Sequence, residues 1–519
     1  MDVVLVGSPG SGTRALGRDL ARRHGWDLVD VDAAVPPRPD GGTDATAPWN
    51  VRSASPRVFV ADAALARPRV RHELYRGRLV AWLDTPPARL AARLRAAPGR
   101  PARSGPDALD DPAAHHDAMA WYFGSGVRID ATRPTSELVI EVERLIAGPP
   151  PVGTLVARAD TAVGLLDLGD GIVARGVADA LSGLRGERVV VLTEPRVWGA
   201  LGDRIAAVIR AAGTEFDVVT VPSGERAKTL TSQVRTLREL ARLRLPRRGP
   251  IVAVGDDRIC DAATFTAGVY LRGVPLVMVP TTTLGQVDLA IGGKGSINLD
   301  LGRNLAGTFH QPVGMILDVD LLRDEAPRQR RAALSETVKY ALLGDVGLFA
   351  LVEAVADDAR RRADADEGDL LELVERCALA KLRIVLADER DLAGPRMALN
   401  LGHTVSHALE AATDYRLLHG EAVAYGLRAA LAIGVEVGVT PPALAERAER
   451  ILDRLRLGCE PVEVDIADMT ARMAADKKRL RGRIRWVLAT GSTVVIRSDV
   501  PDAVVEKAVR AALLGRSIH

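Results

Sequence analysis

Gly148-Pro149-Pro150-Pro151-Val152-Gly153 restricts the fold of this chain more than any other feature. Three consecutive prolines remove three backbone donors and fix three φ angles, so neither a helix nor a central strand runs through them. The segment predicts a short stiff linker at 148–153 between residues 1–147 and 154–519. A length of 519 residues already calls for two or three domains. With 47% of residues hydrophobic, each has material for a core. Lys+Arg and Asp+Glu number 69 and 67, a net charge of +2, which gives no case for a nucleic-acid or membrane surface. Cys260, Cys377 and Cys459 are far apart, which argues against a disulfide framework and for a reducing compartment. The opening Met1-Asp2-Val3-Val4-Leu5-Val6-Gly7 reads as a strand entering a glycine turn, not as a secretion signal. No apolar run approaches the ~18 residues that span a bilayer. The expectation is a cytoplasmic protein whose partners must be argued from its sites.

Strand and helix signals alternate before the linker. Val3–Val6, Leu28–Val31, Val58–Val60 and Leu79–Leu83 are short apolar runs of the buried-strand kind, and Gly12–His24 and Pro87–Ala96 have helical spacing. This predicts a small parallel α/β domain. After the linker, Val189–Leu192 and Ile251–Val254 read as strands alternating with amphipathic stretches such as Thr231–Leu243. From about residue 325 the character turns helical, over Arg328–Leu342, Leu370–Ala387, His403–Ala412, Glu421–Val437 and Pro442–Leu455. The fold class is therefore α/β, with the larger part divided at about 325 into an α/β half, 154–325, and a helical half, 326–519. A cleft between these halves is the natural place for an active site.

Between the first strand and the first helix, Gly7-Ser8-Pro9-Gly10-Ser11-Gly12-Thr13-Arg14 lies where a phosphate-binding loop belongs. The P-loop pattern requires Lys and then Ser/Thr after the last glycine, the lysine for the phosphates and the hydroxyl for magnesium. Thr13 and Arg14 stand there instead. Gly17-Arg18-Asp19-Leu20-Ala21, Asp30-Val31-Asp32, Trp82-Leu83-Asp84 and Gly99-Arg100-Pro101 complete a pattern over 1–147 that resembles shikimate kinase. That family's glycine triplet and substrate-binding arginine motif are missing. The resemblance implies a P-loop-type fold, and these departures from it point to a fold kept without phosphoryl transfer; the alternative is residual nucleotide binding, with Arg14 partly standing in for the lysine.

In the helical half, Gly402-His403-Thr404-Val405-Ser406-His407 and His419-Gly420-Glu421 follow Ser335-Glu336-Thr337-Val338-Lys339. Glu336, His403 and His419 read as an open metal site, because two imidazoles and a carboxylate suit zinc and leave positions for substrate or water. His403 and His407 are four apart and share a helix face. In the α/β half, Pro280-Thr281-Thr282-Thr283-Leu284-Gly285-Gln286-Val287-Asp288 leads into Gly292-Gly293-Lys294 and Gly302-Arg303-Asn304, a glycine-punctuated loop presenting an acid and a lysine.

With Pro222-Ser223-Gly224-Glu225-Arg226-Ala227-Lys228, Tyr270-Leu271-Arg272-Gly273, Phe309-His310-Gln311-Pro312, Asp388-Glu389-Arg390 and Asp476-Lys477-Lys478, these motifs resemble 3-dehydroquinate synthase over about 155–510. The resemblance implies a nucleotide-binding α/β half, a metal-binding helical half and a homodimer. It implies NAD and a divalent metal, Zn2+ or Co2+, converting 3-deoxy-D-arabino-heptulosonate 7-phosphate, a sugar phosphate, to 3-dehydroquinate and phosphate in the shikimate pathway. NAD would oxidise a ring hydroxyl, phosphate would leave, and the hydride would return before ring opening and aldol closure. Carried over residue by residue, Glu336, His403 and His419 hold the metal. Lys339, Asp288, His407, Asn400 and Lys381 face the substrate, and Arg396 meets its carboxylate. Lys294, Asn304, Arg272 and Lys477 surround the phosphate, the arginine coming from the neighbouring subunit. Gly255, Glu225, Lys228, Asp261, Thr281 and Thr282 face the cofactor.

The cofactor side departs from the family. Its glycine-rich diphosphate loop is here Val254-Gly255-Asp256-Asp257-Arg258-Ile259-Cys260-Asp261, with Asp256, Asp257 and Cys260 at glycine positions. Side chains there obstruct close backbone approach, and carboxylates repel a diphosphate. Arg258 could offset one of them. Glu194 and Arg196 replace an Asp and an Asn toward the ribose, Arg303 replaces a lysine, and Asp324 replaces a threonine. Three readings stand: a dehydroquinate synthase with an altered and weak NAD site, another sugar phosphate cyclase, or a non-catalytic homologue that binds a ligand or partner.

Overall fold

The computed structural model describes residues 1–34, 53, 55–95, 119–122, 124–148, 153–184, 186–299, 302–361, 367–392, 394–475, 479–480 and 483–515. Most of the linker (149–152), the segment 99–101 and the phosphate candidate Lys477 lie outside them. The chain packs as two compact units. The first is Met1–Thr161 with Leu165–Ala180 and Ile316–Asp320, and the second is the remainder.

In the first unit the order along the chain is β1 (Val3–Val6), α1 (Thr13–His24), β2 (Asp27–Asp30), α2 (Val31–Ala34), β3 (Arg57–Ala61), α3 (Pro68–Tyr75), β4 (Leu79–Asp84), α4 (Pro87–Arg95), β5 (Val127–Asp130), α5 (Thr135–Ile146), β6 (Thr154–Thr161), β7 (Gly164–Asp170) and α6 (Val173–Leu181). The first five strands form a parallel sheet in the order β2-β3-β1-β4-β5, with Val3 opposite Val58 and Leu79. Every residue of β1 is fully buried, as a strand covered on both faces requires. Val3 and Leu5 meet Leu16, Leu20, Leu138 and Val142 on one face, while Val4 and Val6 meet Val70 and Leu74 on the other. The four strands expected from apolar runs are all present. β5 was not expected, because Val-Arg-Ile-Asp is too short and polar to stand out.

The second unit continues with β8 (Val189–Thr193), α7 (Pro195–Ala211), β9 (Phe216–Thr220), α8 (Leu230–Arg242), β10 (Ile251–Gly255), α9 (Asp257–Val269), β11 (Leu276–Pro280), β12 (Lys294–Leu299), β13 (Gly302–Phe309) and β14 (Gly314–Asp318), whose last three residues belong to the first unit. Its parallel strands follow the order β14-β11-β10-β8-β9. The segment 294–309, expected as a glycine-punctuated loop, is an antiparallel β12–β13 hairpin pairing Lys294 with Phe309. Helices follow: α10 (Pro327–Leu342), α11 (Val346–Arg361), α12 (Glu367–Ala387), α13 (His403–Ala412), α14 (His419–Glu436), α15 (Pro442–Arg454), α16 (Ile466–Ala475) and α17 (Asp502–Leu513), with the short hairpins β15 (Arg479–Leu480)–β16 (Arg483–Ile484) and β17 (Trp486–Ala489)–β18 (Val494–Arg497) before the last.

α14 is buried on nearly every side and packs against α10, α13 and α17. Glycines allow this approach: a Cβ at Gly420 would strike the Ala332 carbonyl of α10, and one at Gly426 would strike the Gly402 carbonyl at the start of α13. No helix among the described residues is long and apolar enough to cross a membrane.

Candidate active site

α10, α13 and α14 each deliver one candidate metal donor. Glu336 is wholly buried in α10, and His403 and His419 are the first residues of α13 and α14. Their ligand atoms lie within 4.8 Å of one another. Both imidazole Nε2 atoms approach Glu336 Oε1, at 3.4 Å from His403 and 3.3 Å from His419. Neither Glu336 oxygen accepts a hydrogen bond of good geometry, although Lys339 and the two imidazoles surround it. Buried acceptors left this way fit a cation.

The far ring nitrogens are held as metal-bound histidines require. His403 Nδ1 lies 3.0 Å from the Leu401 carbonyl and His419 Nδ1 3.2 Å from Glu410 Oε1. Both partners are acceptors, so Nδ1 carries the proton and Nε2 is left for a metal. Arg303 Nη1 meets the same Glu410 oxygen at 3.3 Å. Glu410 was not among the expected site residues. Its signal is helical spacing, since 403, 407 and 410 fall on one face of α13. The donor set fits a divalent ion such as zinc.

Asp288 sits in a single π-helical turn, Gly285–Leu289, rather than an open loop. Its carboxylate accepts from Tyr340 Oη at 2.7 Å and meets Lys381 Nζ at 2.6 Å, while Lys381 also donates to the Asp288 carbonyl. Burial would raise the Asp288 pKa, but the charges of Lys339 and Lys381 outweigh it and hold the carboxyl down at about 2. Burial pulls the Lys381 ammonium down to about 8, with Asp288 resisting. A lysine so placed exchanges protons near neutrality.

Asp288, Lys339 and Lys381 line a cavity of about 680 Å³ with Asn400, Arg396, Lys294, Asn304 and His407. The His407 ring lies 5.4 Å from that of His403. Arg396 is 2% exposed, and its terminal nitrogens donate to the Gly292 and Glu389 carbonyls. Gly292, at φ +105°, leaves room for it, since a Cβ there would collide with the guanidinium. Lys294 is half exposed and pairs with Asp391 at 2.7 Å. Asn304, at φ +56°, accepts from Ser296 and Lys228. Arg272 stands exposed at the end of the turn Tyr270–Arg272 and lines neither this cavity nor its neighbour.

The neighbouring cavity, about 440 Å³, is lined by Glu225, Lys228, Asp261, Asp257, Arg258 and Arg303 and shares His407 and His419 with the first. Lys228 is bound to Asp261, and Asp261 accepts from Ser296 N at 2.7 Å. Thr281 N donates to the Gly255 carbonyl, and Thr282 Oγ1 accepts from Gly285 N. Gly255 serves packing, because a Cβ there would sit 2.7 Å from Ile259 Cβ. Beyond it the chain does not fit a dinucleotide diphosphate. Asp256 caps α9 with its own carboxylate, accepting from Arg258 N and Ile259 N at 3.0 Å each. Those are the groups that bind an anion at a helix start. Asp257 follows, and burial pushes its carboxyl pKa up.

Comparison with known proteins agrees with this arrangement. The family described as 3-dehydroquinate synthase N-terminal matches residues 218–332, and 3-dehydroquinate synthase C-terminal matches 333–479. The 3-dehydroquinate synthase of Gloeobacter violaceus is 42% identical over 306 residues, covering 58% of this chain and 82% of the relative. That of Cereibacter sphaeroides is 37% identical over 362 residues, covering 67% and 95%. Among solved structures, the 2-epi-5-epi-valiolone synthase ValA of Streptomyces hygroscopicus, with NAD+ and Zn2+ bound, superimposes with a TM-score of 0.61 at 25% identity, over 70% of this chain and 99% of that one. A 2-deoxy-scyllo-inosose synthase complexed with carbaglucose-6-phosphate, NAD+ and Co2+ shares the fold, with a TM-score of 0.58 at 23% identity over 67% and 96%. On these matches, which take in residues 218–479, the chain belongs to the 3-dehydroquinate synthase family.

Proposed function

We propose that the second unit binds a sugar phosphate through a divalent metal at a dehydroquinate-synthase-type site, with 3-deoxy-D-arabino-heptulosonate 7-phosphate as the ligand and 3-dehydroquinate and phosphate as the products of turnover. One observation carries this reading: His403 and His419, with Glu336 buried within reach of both, line one cavity together with Asp288, Lys339, Lys381, Asn400 and Arg396. Zn2+ or Co2+ at Glu336, His403 and His419 would acidify a chelated hydroxyl. Asp288 and Asn400 would orient hydroxyls, and Lys381 would hold or release a proton at Nζ. Arg396 would reach the substrate carboxylate through Nε, which has no hydrogen-bond partner. His407, Lys294 and Asn304 would take the phosphate side, joined by Lys477 and by Arg272 of a second copy in a homodimer. A cytoplasmic setting accords with the three free cysteines.

A second reading keeps the ligand and gives up turnover, and the capping of α9 by Asp256 favours it. Release of phosphate from the heptulosonate phosphate by the zinc-loaded chain, with and without NAD, separates the two. NAD-dependent release supports the synthase. No release despite bound zinc supports the ligand-binding homologue. For the first unit we propose a shikimate-kinase-like body without phosphoryl transfer. Arg14, at the position of the P-loop hydroxyl, is spent on Asp30 at 2.6 Å and Asp32 at 3.4 Å. ATP consumption with shikimate would overturn that reading.

A further inference from the structure

A parallel strand that ends in a glycine and turns into a helix offers a dinucleotide two things at once, unpaired N–H groups and open space beside them. At β10–α9 two of those N–H groups are taken. The Asp256 side chain accepts from the first free N–H groups of α9, at 3.0 Å to both Arg258 and Ile259. The helix start is neutralised by a carboxylate the chain carries itself.

The cations around the neighbouring cavity are spent as well. Arg258 is bound to Asp256 at 3.2 Å, Asp257 at 3.3 Å and Glu225 at 3.1 Å. Lys228 pairs with Asp261, Arg303 with Glu225 and Glu410, and Arg472 with Asp468 at 2.6 Å. A diphosphate entering this space would meet Asp257 and Glu410 along the lining, beside the Glu225 and Asp261 carboxylates expected on the cofactor side. Each cation it needs would first have to leave a carboxylate.

We infer that Asp256 and Asp257, with Arg258 as their counter-ion, take the place of a dinucleotide's diphosphate, so that this chain holds its metal and its sugar phosphate with no dinucleotide bound. The inference rests on the second reading given above, in which the sugar phosphate is bound without turnover, but the cap itself is tested separately from it.

The test is a calorimetric titration of NAD into the zinc-loaded full-length protein, its Asp256→Gly/Asp257→Gly variant, and Asp256→Asn. Asp256→Asn retains a side-chain acceptor for the cap and removes the charge. The unaltered chain is expected to bind NAD no tighter than about millimolar, and the double variant to gain on the order of tenfold or more. Asp256→Asn should gain a smaller factor, which keeps the test available if the double glycine variant does not fold. Micromolar NAD binding by the unaltered chain overturns the inference, and so does a folded, zinc-binding double variant that gains nothing. In parallel, the heptulosonate phosphate is titrated into the unaltered zinc form with and without NAD. Equal affinity is expected. Binding that requires NAD sinks the inference, whereas no binding in either condition sinks the sugar-phosphate reading while the NAD titrations still decide the cap.

Discussion

At the scale of single residues, the metal donors are legible because ligand chemistry is carried by residue type. Histidine and glutamate in short motifs announce themselves wherever the chain later places them. What the donors rest on is harder to read. Glu410 lies only nine residues before His419, yet its role depends on α13 and α14 meeting so that its carboxylate faces the far side of the ring. Such a carboxylate fixes the tautomer and raises the basicity of the ligand, and its loss typically costs about 10–100-fold in metal affinity. Glu410→Gln is therefore expected to weaken zinc binding by about that factor, with Glu410→Asp recovering part of it. Competition with a chromophoric chelator measures this. An unchanged affinity would reduce Glu410 to a partner of Arg303. Asp256 was legible as an obstacle to a diphosphate, but its position just before a helix also marks it as a cap.

At the scale of elements, periodicity located closely several of the helices it singled out, while α5, α7, α9, α11 and α17 were not singled out. Expected and observed bounds for α8, α10, α13, α14 and α15 differ by at most two residues, because amphipathic spacing and Pro starts are local signals. The β12–β13 hairpin escaped notice, since its glycines read as loop until each strand has a partner. Gly420 shows the same limit. In sequence it looks like a weak point at a helix start, whereas in the fold it lets α14 touch α10 and bring His419 to Glu336. Gly420→Ala should cost about 1–3 kcal/mol by overpacking. It should also lower zinc affinity, because the two helices must separate. Denaturant unfolding with and without zinc checks both, and a destabilised variant with unchanged zinc affinity would show that the spacing is not what sets the site.

At the scale of the whole molecule, stability carries a pH signature from Glu325, between β14 and α10. Its carboxyl accepts from Thr283 N at 3.1 Å and Thr283 Oγ1 at 2.5 Å, and burial raises its pKa from 4.5 to about 7. The folded state holds a proton that the unfolded state has released, so this contribution is full below pH 4.5 and is lost as pH rises through about 7. The span corresponds to on the order of 3 kcal/mol. Glu325→Gln should flatten that fall in a denaturant series across the window. A variant as steep as the parent would place the proton elsewhere.

The linear chain by itself determined the α/β class, the positions of the elements it singled out and the three candidate metal donors. Each of these follows from local periodicity or from the chemistry of a short motif. Tertiary structure alone decided which charges cancel: Glu410 behind His419, Arg303 on Glu225, and the Asp256 carboxylate folded back onto the first N–H groups of α9. Electrostatic energy depends on distance through space and on burial, and neither is encoded by separation along the chain.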